Sequence, residues 1–588
     1  MNFKKIIYSV ILLAGFYSCD LEELPKDTAT GGNVFGTESG LKAYTNSFYE
    51  IFPDQDEAHK QDVMCDYSVV GSVSDFMRES SYSAEESTTG WDDWDNLRNI
   101  NYFIQNCTNE NVDEEIRNNY LGLAHFFRAY FYFEKVVLFG DVPWISKAMQ
   151  PDDPDLFAAR DPRTLVMDSV LADLNVAVRN ITQEDDTRSL VTKYVALGFK
   201  SRICLYEGTF RKYHTELGLT STANTWLTEA AEAAREVIDD SGFSINTSGN
   251  QPYRDLFVSE SPVSSEVMLA DICDPELGVT NDANWWWTSS TYGDRVSLCR
   301  TFVNTYLKTD GTAFSNTAGY ETMTFMNEVK NRDKRLQQTI RLGDYTRINS
   351  GVTLPAPPVF SYTYTGYQPI KYVLDDMYYD AADNNYNSIP LMRYAEILLN
   401  DAEAKAELGT LTDTEWAETI GVLRSRAGIT SGLDAKPTVV DTYLQTNYFP
   451  NITDPVILEI RRERAIELVF EGFRFRDLIR WKKGNLMEMK WRGFYVPELD
   501  KAMDLNEDGT NDVVFTQNAN LNMDDVTVIN VAPTVSGVTN SRGLTNGTYG
   551  ELTWLDNNPR FWEDKKYYYP IPASAIVENP NLTQNEGW

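Results

Sequence analysis

The chain has 588 residues and a formal net charge of −35, from 52 Lys and Arg against 87 Asp and Glu. So acidic a protein lacks the positive footprint that nucleic acid demands, and on average it repels anionic polysaccharides. With three His and no C-x-x-C, a transition-metal site is disfavoured. The odd set Cys65, Cys107, Cys204, Cys273 and Cys299 beyond Cys19 leaves at least one free thiol and no disulfide framework.

Lys4 and Lys5 precede an apolar run from Ile6 to Phe16, followed by Ser18 and Cys19. This is the order of a secretory leader, too short to span a bilayer, and we expect residues 1–18 to be removed. A Cys directly after the run suggests a lipoprotein with Cys19 acylated. Several acyl chains on one Cys give stable anchoring where a single chain is marginal.

Helical periodicity then predicts helices from Gly40 to Phe52, Asp92 to Thr108, Val112 to Leu138, Pro162 to Asn180, Val191 to Glu207, Ala223 to Asp239, Pro390 to Leu408, Glu415 to Ala427 and Pro455 to Lys482. No Ser/Gly/Pro linker divides the chain, so residues 19–588 read as one domain. A helical scaffold over 40–482 carries a non-helical insertion at about 243–389. A loop insertion at 484–566 and a C-terminal segment at 567–588 follow.

Trp91 and Trp94 stand three apart at the start of a helix. Trp94 suits core packing, whereas Trp91, beside Gly90, is placed to reach a ligand. Asp66, Arg78 and Tyr82 precede it and offer hydrogen bonds to hydroxyls. The segment Asn281 to Asp294 holds Trp285, Trp286, Trp287 and Tyr292 among small polar residues, without helical or strand alternation. Neighbouring side chains of an extended segment point to opposite faces, so at least one indole is expected to be exposed. Flat rings stack on the apolar faces of sugars while Asn, Asp and Thr bond the hydroxyls, which is what a glycan receptor needs. Packing of these residues on the helical body or on a partner is the plain alternative.

Asp454 as N-cap and Pro455 as first helical residue open the most informative helix, and Gly472 is placed to close it. Ile457, Ile460, Arg464, Leu468 and Glu471 form one stripe. A stripe that must bury carries charge, tolerable only as a paired network, expected here between Arg464 and both Glu467 and Glu471, and between Arg474 and Asp477. Glu463 belongs to the same network. Arginines this close would hold the carboxylates ionised, which argues against the acid/base pair of a glycoside hydrolase.

Asp504, Asn506, Asp508, Gly509 and Asp512 read D-x-N-x-D-G-x-x-D, the opening of a calcium loop. The twelfth position is Phe515 rather than the bidentate Glu of an EF-hand. A structural calcium is therefore the one cofactor expected, and an Asx-turn in a solvated loop is the alternative.

The spacing of Ile460, Glu463, Arg464, Glu467, Leu468, Phe470, Glu471, Gly472, Arg474, Asp477, Leu478, Arg480 and Trp481 resembles the SusD/RagB family of surface lipoproteins. Gly140-Asp141-Val142-Pro143 after Phe127-Arg128-Ala129-Tyr130, then Asp310-Gly311, Arg332 to Leu336 and Arg393 to Leu399, follow in the family's order. Pro570-Ile571-Pro572, Asn579-Pro580 and Gln584 to Trp588 end the chain in the same way. The resemblance implies a mostly α fold, a tetratricopeptide-like scaffold of helical pairs with long irregular loop insertions. It implies a surface-exposed outer-membrane lipoprotein anchored through Cys19 alone, with Asp20, Glu22 and Glu23 resembling an export signal. It also implies binding of oligosaccharides for a SusC-like TonB-dependent transporter, without catalysis. Capture of peptides, a hydrolase activity and a purely scaffolding role are the alternatives.

Overall fold

The computed structural model describes residues 34–79, 82–87 and 90–588. The leader and Cys19 lie outside the described residues.

Among the described residues, six helices of nine residues or more form the first half: α1 (Glu38–Asn46), α2 (Trp94–Asn106), α3 (Glu114–Phe139), α4 (Arg163–Asn180), α5 (Lys193–Tyr213) and α6 (Ala223–Asp240). Several have a local reason to begin or stop. The Thr37 hydroxyl accepts from the Gly40 N–H, and that of Thr192 from Val195, satisfying donors that the first helical turn leaves open. At the end of α3, Gly140 adopts a positive φ of 74°, which any Cβ would strain. In 26 residues α3 spans about 39 Å, the long edge of the scaffold. Successive helices from α2 to α6 pack side by side.

The chain then leaves the helical body and returns after about 150 residues. Strand Val267–Asp271 pairs antiparallel with Ile389–Arg393, so the ends of the excursion are hydrogen-bonded to each other. Inside it, the segment expected to be irregular holds a short helix, α7 (Ala283–Thr288), and later α8 (Lys334–Thr339). Beyond it, α9 (Tyr394–Leu408) is wedged against α5 and α6, and α10 (Pro455–Glu467) packs on α9. Burial on almost every side makes α9 exceptional for a helix bearing Glu396, Asp401, Glu403 and Glu407. Arg202, Lys405, Arg480 and Lys212 pair with these in turn.

Two expectations for the late helices need correction. The helix drawn from Glu415 to Ala427 contains a π-turn at Ala417–Gly421, where a Cβ on Gly421 would lie 2.3 Å from the Leu433 carbonyl. Pro455 to Lys482 is two helices, α10 and α11 (Arg474–Arg480). α10 stops at Glu467, ahead of Gly472, because the turn takes Phe470 and Gly472 to φ of 65° and 81°. Nor is 484–566 only loop: Arg492–Val496, Gly550–Trp554 and Arg542–Leu544 form a three-stranded antiparallel sheet. One apolar cluster runs from Phe35 to Leu582 through all these parts. Helix accounts for 43% of the fold and sheet for little, so the architecture is mostly α.

Candidate functional site

The charged stripe of α10 is the electrostatic keystone. Glu467 receives Arg335 from α8 at 2.9 Å, Arg393 from the closing strand at 2.6 Å, and Arg426. Arg335 also holds Asp333 and Glu463, and Glu471 receives Arg393 and Lys371. These groups are buried, so each charge must be matched. The network is where the stripe predicts it, but its pairs are long-range: Arg464 takes Asp477 at 2.8 Å and Arg474 takes Asp66 at 2.6 Å. The break after Glu467 turns the α11 charges onto other partners than those a continuous helix would supply. Burial works to raise the Glu467 carboxyl, yet the three guanidiniums hold it well below its usual range. It has no proton to donate.

A different chemistry appears where three distant segments meet: 54–60, α7 with its following turn, and 376–386. Trp285 stacks on Tyr292 with ring centroids 3.8 Å apart and planes 14° from parallel. Trp285 is half-buried, while Tyr292 is 45% exposed, so the stacked pair presents aromatic surface to solvent. Gly293 permits it, because a Cβ there would lie 1.6 Å from the Trp286 carbonyl oxygen. The turn therefore lies hard against the end of α7 and lays Tyr292 over Trp285.

Beneath the pair lies Asp282. Its Oδ2 accepts from Tyr292 Oη at 2.8 Å and Lys60 Nζ at 2.6 Å, and its Oδ1 meets His59 Nε2 at 2.9 Å. Trp287 Nε1 donates to His59 Nδ1 at 3.2 Å, so the proton of a neutral imidazole is on Nε2 and donates to Asp282. Burial lowers the His59 pKa against the pull of Asp282, favouring that neutral form. Burial also works against ionised Asp282, but the bonds from His59, Lys60 and Tyr292 hold it at about 2. On the other side of α7, Asn284 donates to Asp380 and to the Leu374 carbonyl. This ties in Tyr378, which is 72% exposed, and the edge-to-face pair Tyr379 and Tyr386.

A family model described as the SusD family matches residues 275–588, more than half of the chain. The chain belongs to the SusD family. A second model, described as starch-binding and associating with the outer membrane, matches residues 37–199. SusD-like protein P2 of Formosa agariphila is 24% identical over 503 residues, covering 82% of this chain and 92% of that protein. A SusD-like protein from Bacteroides fragilis superposes with a TM-score of 0.67 at 20% identity, over 95% of this chain and 99% of its own. A SusD-like carbohydrate binding protein of the same species gives 0.67 at 19%, over 94% and 100%. These likenesses establish the tetratricopeptide-like helical fold.

Several side chains singled out in this SusD-family sequence lie elsewhere than expected. Trp286 and Trp287 are 7% and 4% exposed, because α7 is a helix that turns both indoles into the core and only Trp285 outward. Trp91 is buried edge-on between Trp94 and Phe139. Asp66 is buried in its two bonds to Arg474 and cannot reach a ligand. Arg78 is half-buried and pairs with Asp75 on its own turn, at 2.7 Å. All five cysteines from Cys65 onward are buried free thiols. His59, Lys60 and Asp282 escaped notice because the contacts of the first two with Asp282 span more than 220 residues of sequence. The only signal was an Asp three residues ahead of the aromatic run.

The SusD-family scaffold also carries a cavity of about 590 Å³, lined by Glu57, Gln61, Tyr130, Lys135, Arg476 and Tyr569 among others. Several of its aromatic rings are already engaged: Tyr569 stacks on Phe76 at 4.4 Å, and Tyr130 meets Phe52 and Phe199. In the Asp504 to Asp512 loop, Asp504 accepts the N–H groups of Asn506, Glu507 and Gly509, and Asp512 accepts that of Leu505. Asn506 donates to Asp508 at 3.1 Å. Asp504, Asp508 and Asp512 do not bring oxygens within 4.8 Å of one another; among the described residues only Asp56, His59 and Asp282 meet that spacing. The latter trio does not suit a cation, since both nitrogens of His59 are engaged and the Trp287 N–H faces the one without a proton.

Proposed function

We propose that this protein is a cell-surface receptor that binds an oligosaccharide on the Trp285–Tyr292 stack and passes it to a SusC-like TonB-dependent transporter. The observation that carries the reading is an exposed, rigidly backed aromatic pair on a family scaffold whose relatives include a carbohydrate binding protein. A sugar ring laid on that pair buries apolar C–H surface at small entropic cost. No catalysis is proposed: Glu467 and Asp282, the carboxylates at the centre of the network and the platform, are both held ionised and neither can serve as the general acid of a hydrolase. Membrane attachment is proposed through acylated Cys19. Among the described residues no helix is long and apolar enough to cross a membrane.

The test is retention of the soluble chain, starting after Cys19, in native gels containing single polysaccharides, alongside Trp285→Ala and Tyr292→Ala. Retention by the parent should fall at least about ten-fold in each variant, with melting temperature unchanged. Equal retention moves the site off the stack, and release of reducing sugar would make the protein a hydrolase. Repeating the gels and the melt with calcium and with chelator tests the proposed structural ion at Asp504, Asn506, Asp508 and Asp512. Identical curves would remove it.

A further inference from the structure

The three segments that build the platform are one-sided in charge. From Ala43 to His59, from Asp271 to Asp294 and from Asp375 to Met392 the sequence contains no Lys or Arg. Over the same stretches it supplies Asp54, Asp56, Glu57, Asp282, Asp294 and Asp383, of which Asp282 bonds Tyr292 and Asp56 accepts the Asp282 N–H at 2.9 Å. Of the two cations adjoining these segments at the stack, Lys60 is spent on Asp282 at 2.6 Å. Arg295 is turned to the Ser290 carbonyl, with its guanidinium over Tyr364. The acids at the rim face solvent: Asp54, Glu57 and Asp383 are exposed, and Asp56 is half-buried. The field is felt at the stack itself, since the bond to Asp282, assisted by the charges of Asp383 and Asp56, pushes the Tyr292 hydroxyl up to about 12.

We propose that this platform selects by charge, accepting uncharged or amine-bearing glycans and rejecting those that carry carboxylate or sulfate groups. The proposal rests on the glycan reading of the Trp285–Tyr292 stack and adds to it the class of sugar. Stacking is indifferent to a substituent's sign. Discrimination therefore falls to the rim, where like charges brought together without a counter-ion disfavour the complex. The net charge of the chain alone does not give this result, because an excess of cations at the rim would reverse it locally. Lys60 is matched by Asp282, and the charge of Arg295, half-buried against the Ser290 carbonyl and Tyr364, is outnumbered by the acids of these segments.

The experiment uses glycans matched in backbone and differing in charge: hydroxyethyl against carboxymethyl cellulose, and highly methyl-esterified pectin against polygalacturonate. At low salt the neutral member of each retained pair should be bound at least about ten-fold more tightly, and the gap should narrow as salt screens the rim. Asp383→Lys, at an exposed position, should narrow the gap several-fold, and a gap of the parent's size in that variant would overturn selection by the rim. Tighter binding of an anionic member, lost in Trp285→Ala, would overturn the charge selection and leave the glycan reading standing. Retention indifferent to Trp285→Ala, or none across the whole panel, would overturn the glycan reading and the selection with it.

Discussion

Gly293 does more for the candidate site than any side chain that touches solvent. Its missing Cβ lets the turn press against the Trp286 carbonyl, and the stack of Tyr292 on Trp285 follows from that approach. Gly293→Ala should displace the turn, expose the Trp285 face and weaken glycan retention at least about ten-fold, while changing global stability by no more than about 1 kcal/mol. Indole fluorescence and a urea titration read the two effects separately. Unaltered retention would mean that the stack is not the binding surface. At this scale the sequence was informative about type and not about direction: a run of three Trp marks an aromatic site, but which indole faces water depends on α7 being a helix. Six residues are too few for periodicity to reveal one.

At the scale of elements, the segment 54–62 is the hinge between the platform and the charged core. His59 and Lys60 face Asp282, while Asp62, two residues on, turns inward to accept from Tyr67 Oη at 2.7 Å and the Gly472 N–H at 3.0 Å. Its Oδ1 is buried without a partner, and burial raises its pKa from 3.8 to about 6. A carboxyl that holds its proton more tightly folded than unfolded contributes stability fully below pH of about 4. That contribution is lost as pH rises through about 6, above which the folded state carries a buried anion. Asp62→Asn should therefore gain on the parent between pH 4 and 8 by on the order of 2 kcal/mol, measured by urea unfolding across that range. A difference that does not vary with pH would show that Asp62 ionises normally. The helices themselves were legible because their caps and apolar stripes are local. Where the chain departed from expectation, at Phe470–Gly472 and Ala417–Gly421, the cause is contact with residues remote in sequence, Gln61 and Leu433.

Across the whole molecule, what the α10 stripe announced was a demand for partners, and their identity came only with the fold. Arg335, Arg393 and Arg426 are drawn from three separate elements onto Glu467, so this carboxylate joins α8, the strand that closes the excursion, the helix after the π-turn and α10. The region bearing the platform is thereby fastened to the helical body through charge as well as through apolar contact. Burying such a network gives little net stability over an apolar core of the same shape, yet removing one member leaves its partners charged and unmatched. Glu467→Gln should therefore cost about 3–5 kcal/mol in urea unfolding, whereas Trp285→Ala, at a half-exposed ring, should cost about 1 kcal/mol or less. The same Glu467 variant should lose glycan retention in proportion to its unfolded fraction, because the residue holds the scaffold and does not touch the platform. If Glu467→Gln unfolds at the parent's urea midpoint, the network is not what fastens the excursion, and the apolar cluster alone carries that role.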